Sequence, residues 1–113
     1  MLFRSLKIVK MVDSEWFGVI VDTGYFLSPD PYEDIARVLP YAVNWQIKER
    51  VDGAVGHSKT DLKRLVRIIR EGGYRGYLPI ETLSIRGEAE NYDPRTRVKQ
   101  LLAELREALK HPE

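Results

Sequence analysis

Gly18-Val19-Ile20-Val21-Asp22-Thr23-Gly24-Tyr25-Phe26 is the stretch whose reading decides the fold. A short β-branched run ends in a carboxylate and a glycine. This is the pattern of a buried parallel strand that carries Asp22 to its C-terminal end, with Gly24 letting the chain turn sharply just beyond it. In α/β proteins ligands bind at that end of the strands. Val43-Asn44-Trp45-Gln46-Ile47-Lys48 and Tyr77-Leu78-Pro79-Ile80-Glu81 repeat the plan, each finishing in polar residues. Three strand ends are therefore expected to aim side chains at one place.

Outward from this core, the connecting segments read as helices. Asp30 is placed to cap a helix beginning at Pro31, with Ile35, Val38 and Leu39 as its apolar stripe and Pro40 as its stop. Ser58 or Thr60 caps a second helix starting near Asp61, whose stripe is Leu62, Leu65, Val66 and Ile69 and whose end is Gly72-Gly73. A third begins near Pro94 behind Asp93, with Val98, Leu101, Leu102, Leu105 and Leu109 on one side. Upstream, Leu6, Ile8, Val9 and Val12 fit the last turns of an amphipathic helix. Residues 1–5 fit nothing that follows and read as a non-native leader on a gene fragment, the alternative being a short natural N-terminal helix.

The order strand, helix, strand, helix, strand, helix predicts an α/β fold of three consecutive βα units with parallel strands. Pro79 cannot donate to a ladder, so the third strand should lie at an edge or pair incompletely. In the second strand Val43, Trp45 and Ile47 alternate with Asn44, Gln46 and Lys48. The polar set suits either the lumen of a closed barrel or solvent beside a half-covered sheet.

Composition bounds the function. The 113 residues, 43% hydrophobic, suffice for a single modest domain. Lys and Arg number 18 against 17 Asp and Glu, without the basic excess of a nucleic-acid binder. No cysteine is present, which removes disulfides and thiolate metal sites and fits a reducing cytoplasm. No apolar run approaches the ~20 residues of a membrane span. The expectation is a cytoplasmic chain with no nucleic-acid or membrane partner.

Asp22 to Phe26 with Asp30-Pro31-Tyr32, then Tyr41 to Lys48, then Gly73 to Glu81 resembles the C-terminal part of the sugar phosphate isomerase/epimerase family. The resemblance implies a xylose isomerase-like (β/α)8 TIM barrel, of which residues 6–110 would supply the last three βα units out of a barrel of ~250 residues. It further implies Asp22, Gln46 and Glu81 as ligands of a divalent metal, Mn or Mg. Gln46 stands where many members have His, a weaker site for softer metals. Glu81 would also be the catalytic acid/base, and Tyr25 and Lys48 would contact a sugar or sugar phosphate. The implied chemistry is proton transfer through an enediolate. The chain alone is expected to be inactive, because the family's fifth-strand metal Glu has no counterpart in it.

The same residues have plainer readings. Asp22 can cap its own turn, Glu81 can be a solvated strand end, Lys48 can snorkel from an edge, and Tyr25 with Phe26 can pack. His57 reads as exposed and inert. A non-catalytic barrel piece that forms a homo-oligomer through exposed strand edges is the alternative function. An abasic-site endonuclease would need a histidine cluster, and a receiver-like domain an early acidic pair. Neither pattern is present.

Overall fold

The computed structural model describes residues 2–26, 28–51, 58–84 and 90–111. The elements run α1 (Leu2–Val12), β1 (Val19–Asp22), α2 (Pro31–Val38), β2 (Ala42–Gln46), α3 (Leu62–Glu71) and α4 (Pro94–Lys110), with single 3-10 turns at Thr23–Tyr25 and Leu39–Tyr41. The helix starts follow the expected chemistry. Asp30 accepts from the N–H groups of Tyr32 and Glu33 at 3.1 and 3.2 Å, with Pro31 at the first turn. Asp93 does the same for α4, accepting from Arg95 N–H. Asp61, and neither Ser58 nor Thr60, caps α3 through the Arg64 N–H at 3.0 Å. Gly73, at φ 75°, takes the left-handed conformation that releases the chain from α3.

β1 and β2 pair in parallel, with Val21 opposite Trp45 and Asp22 opposite Gln46. The register skips Val43 between the pairs Val19–Ala42 and Ile20–Asn44, and Val43 is left exposed where alternation would have it packed. The helices gather on the Trp45 side of this ribbon. Trp45, Ile47 and Val21 are buried with Ile35, Val38 and Leu39, with Leu65, Val66 and Ile69 of α3, and with Leu101 and Leu105 of α4. Ala108 joins them at the helical spacing i, i+7 from Leu101, while Val98 lies outside the buried face. Of the apolar residues expected to line α1, only Val9 is buried; Ile8 and Val12 are exposed.

The expectation of three consecutive βα units in a partial TIM barrel is corrected here. Among the described residues there is one sheet of two parallel strands, with four α-helices. The stretch 77–81 contributes a single parallel bridge, Ile47 to Ile80, in which Ile47 N–H donates to Pro79 O and Glu81 N–H donates to Ile47 O, both at 2.9 Å. A parallel ladder could extend in two directions, and both are closed. The preceding rung needs an N–H at residue 79, which proline lacks. The following rung needs the Glu49 carbonyl, which already accepts from Thr60 N–H at 2.8 Å. The other face of the ribbon, carrying Ile20 and Asn44, is exposed, so the polar alternation of β2 belongs to a half-covered sheet. Gly53, Gly56 and His57, and much of the expected 83–93 loop, lie outside the described residues.

Burial ranks the core side chains. Leu65 is wholly buried, and Leu65→Ala should lower unfolding stability by about 3 kcal/mol through lost transfer energy and a cavity. Met11→Ala, at a position 75% exposed, should change it by less than about 0.5 kcal/mol. Urea unfolding of both variants beside the parent protein checks the pair.

Candidate functional site at the strand ends

Asp22 is the last residue of β1, and its carboxylate has two tasks. Oδ1 accepts from Gly24 N–H at 3.0 Å, which folds Thr23–Tyr25 into a tight turn. Oδ2 lies 3.5 Å from the ammonium of Lys48. The capping role expected on plain grounds and the site role thus belong to different oxygens of one group.

Lys48 follows β2 and is held by its backbone from two sides. Its N–H donates to Thr23 Oγ1 at 2.9 Å, and its carbonyl accepts from Thr60 Oγ1 at 2.7 Å, both threonines being buried. The side chain runs past Gly24, where an added Cβ would sit 3.2 Å from Lys48 Cγ; the glycine leaves room for the lysine stem. At its tip the ammonium donates to Glu81 Oε2, and it lies 5.8 Å from the centre of the exposed Tyr25 ring. Glu81 is brought there by its own N–H bond to Ile47 O, on the residue beside Lys48.

Four of the five residues singled out from sequence therefore converge: Asp22, Tyr25, Lys48 and Glu81. Gln46 is set beside Asp22 by the strand register. The centre of the arrangement is the lysine, however, and no spacing in the sequence marks it as such. Thr60 was also missed as a positioning residue, because a lone loop threonine carries no periodic signal. Its neighbour Asp61 is the better helix cap, which leaves the Thr60 hydroxyl free to bond backward to Lys48.

Burial disfavours the charged lysine. The hydrogen bond it donates to Glu81 and the negative charges of Asp22 and Glu81 outweigh this burial, and hold the ammonium above the ordinary lysine value of 10.5. The three side chains grade outward, with 10% of Lys48, 20% of Asp22 and 38% of Glu81 exposed. Glu81 is the group that an incoming molecule meets first.

The residues implied as metal ligands fit a resident divalent ion poorly while Lys48 stands between the two carboxylates. Among the described residues no group of three His, Cys, Asp or Glu side chains is arranged to hold one. A cavity of about 400 Å³ lies on the far side of Thr60, lined in part by Glu49, Lys59, Arg97 and Glu104. Its charges are paired, Arg97 with Glu49 at 2.7 Å and Lys59 with Glu104 at 3.0 Å, and it includes none of Asp22, Lys48 and Glu81. No protein-family model matches the chain, and no curated protein does.

Lys48→Met should destabilise the fold by about 1–3 kcal/mol, less than the cost of breaking a fully buried pair because Glu81 is partly solvated. The pH dependence has a definite sign. A raised lysine contributes its full stability below 10.5 and loses it as the pH rises through the higher folded value. The parent protein should therefore lose its advantage over Lys48→Met only above pH 10.5. Urea midpoints of the two proteins, compared from neutral to strongly alkaline pH, check this.

Proposed function

We propose that the Asp22–Lys48–Glu81 cluster is the reacting part of a site for a small polyhydroxy carbonyl compound, of the sugar phosphate isomerase/epimerase class, and that this chain supplies only part of that site. The observation that supports the reading is the meeting of two carboxylates, one from the end of β1 and one from the segment bridged at Ile80, on one ammonium, beside an exposed sheet face. Glu81, the more exposed of the two carboxylates, is the one within reach of a substrate proton.

In this reading Glu81 takes the proton from the carbon next to the substrate carbonyl. The C–H electron pair becomes the C=C bond of an enediolate, and the negative charge collects on the former carbonyl oxygen. Lys48 donates a hydrogen bond to that oxygen, where a fixed cation in a poorly solvated place is most effective. Asp22 positions Lys48. Isomerisation follows when Glu81 returns the proton to the neighbouring carbon while the hydroxyl proton passes to the oxygen that was the carbonyl. Epimerisation would need a second base on the opposite face of the sugar, which this cluster does not provide. A cytoplasmic setting is part of the same proposal, in keeping with a chain free of cysteine.

A titration of dihydroxyacetone phosphate, the smallest ketose phosphate, against the backbone amide signals tests the site. Saturable shifts at Gln46, Lys48 and Glu81 are expected at roughly millimolar ketose, weaker with glycerol 3-phosphate, which has no carbonyl, and lost in Lys48→Met. Net isomerisation should stay at the buffer rate. Shifts that avoid these residues, or none at all, would remove the reading.

A second reading rests on its own observation. Among the described residues the outer edge of β1 is unpaired, and Ile20, Met11 and Trp16 are exposed at 58%, 75% and 89%. Two copies joined through that edge would satisfy its backbone and cover part of this apolar surface. Light scattering over a wide concentration range should then give a rising mass; a constant monomer mass dismisses the dimer.

A further inference from the structure

We infer that Lys48 is the resident cation of this site, holding the space between Asp22 and Glu81 against a divalent metal ion. Both carboxylates direct an oxygen at the same ammonium, so the place a metal ion would take is already held by a covalently attached cation. The lysine is not placed to swing aside easily. Its side chain is 10% exposed, its stem fills the room left by Gly24, and its backbone is bonded on both sides by the buried Thr23 and Thr60. An ion entering between the carboxylates would stand within a few ångströms of the ammonium, like charge against like charge in a poorly solvated place.

Without the ammonium the donor set changes character. Asp22 and Glu81 would then face one space as two uncompensated carboxylates, with the Gln46 amide next to Asp22 in register. These are hard oxygen donors with a net charge of −2, a combination that suits Mg or Mn. The same two carboxylates can serve an ammonium or a divalent ion, but not both. This inference is independent of any substrate, so the sugar reading can fail while it stands.

The test is Mn-induced broadening of backbone amide signals, with the metal alone as the probe. The wild-type chain should show no selective broadening at Asp22, Lys48 or Glu81. Lys48→Met should gain it, with Mn affinity at least roughly tenfold tighter than wild type, and the gain should vanish in Lys48→Met combined with Asp22→Asn. Selective broadening of these signals in the wild-type chain overturns the inference outright, and that arm needs no variant to fold. If a folded Lys48→Met binds no better than wild type, the lysine is not what keeps the ion out, and the inference falls as well. Lys48→Gln serves in its place should the methionine variant not fold.

Discussion

The burial of Trp45 and Ile47 beneath α2, α3 and α4 is the constraint on which the rest depends. A strand alternates its side chains, so sinking these two residues forces Asn44, Gln46 and Lys48 to the opposite side. Among the described residues the helices pack with Trp45 and Ile47, and Asn44 on the other side is exposed. The large apolar term of the fold and the position of its polar cluster are thus two consequences of one register, and a slip of one residue in β2 would exchange them.

The site is small because the sheet is small. Two ordinary facts stop the third segment from becoming a strand: proline at 79 has no donor, and the Glu49 carbonyl is engaged by Thr60. What remains is one bridge at Ile80, and it is enough. It fixes the backbone of Glu81 against Ile47, which places the Glu81 carboxylate at the tip of the lysine one residue further along. A single rung of sheet therefore does for Glu81 what a full strand does for Asp22.

The electrostatics follow from that placement. Lys48 gives up most of its hydration, which alone would push it toward neutrality, and recovers the loss from two carboxylates of graded exposure. One ammonium thus serves two carboxylates, hydrogen-bonded to Glu81 and 3.5 Å from Asp22. Burial separates the arrangement from the surface cluster of Arg37 with Glu33 and Asp34, in which the cation is 55% exposed and all three members lie within four residues of one helix.

The local elements were legible in the sequence because their signals are local. Asp30-Pro31, Asp93-Pro94, the Leu62-Leu65-Val66-Ile69 stripe and the β-branched run before Asp22 each act through near neighbours in the chain, and each appears where it was expected. The barrel expectation failed because strand count is settled by hydrogen bonds between distant segments: Pro79 spoke against a full ladder in advance, but the loss of the Glu49 carbonyl to Thr60 has no sequence signal. By itself the sequence determined that Asp22 ends a strand and that Lys48 closely follows one, since periodicity and turn chemistry do that without help from the rest of the chain. Only the tertiary structure decided that Asp22, Tyr25 and Glu81 would gather around Lys48, because that depends on two threonines that hold the lysine backbone, a glycine gap beside its stem and one bridge at Ile80.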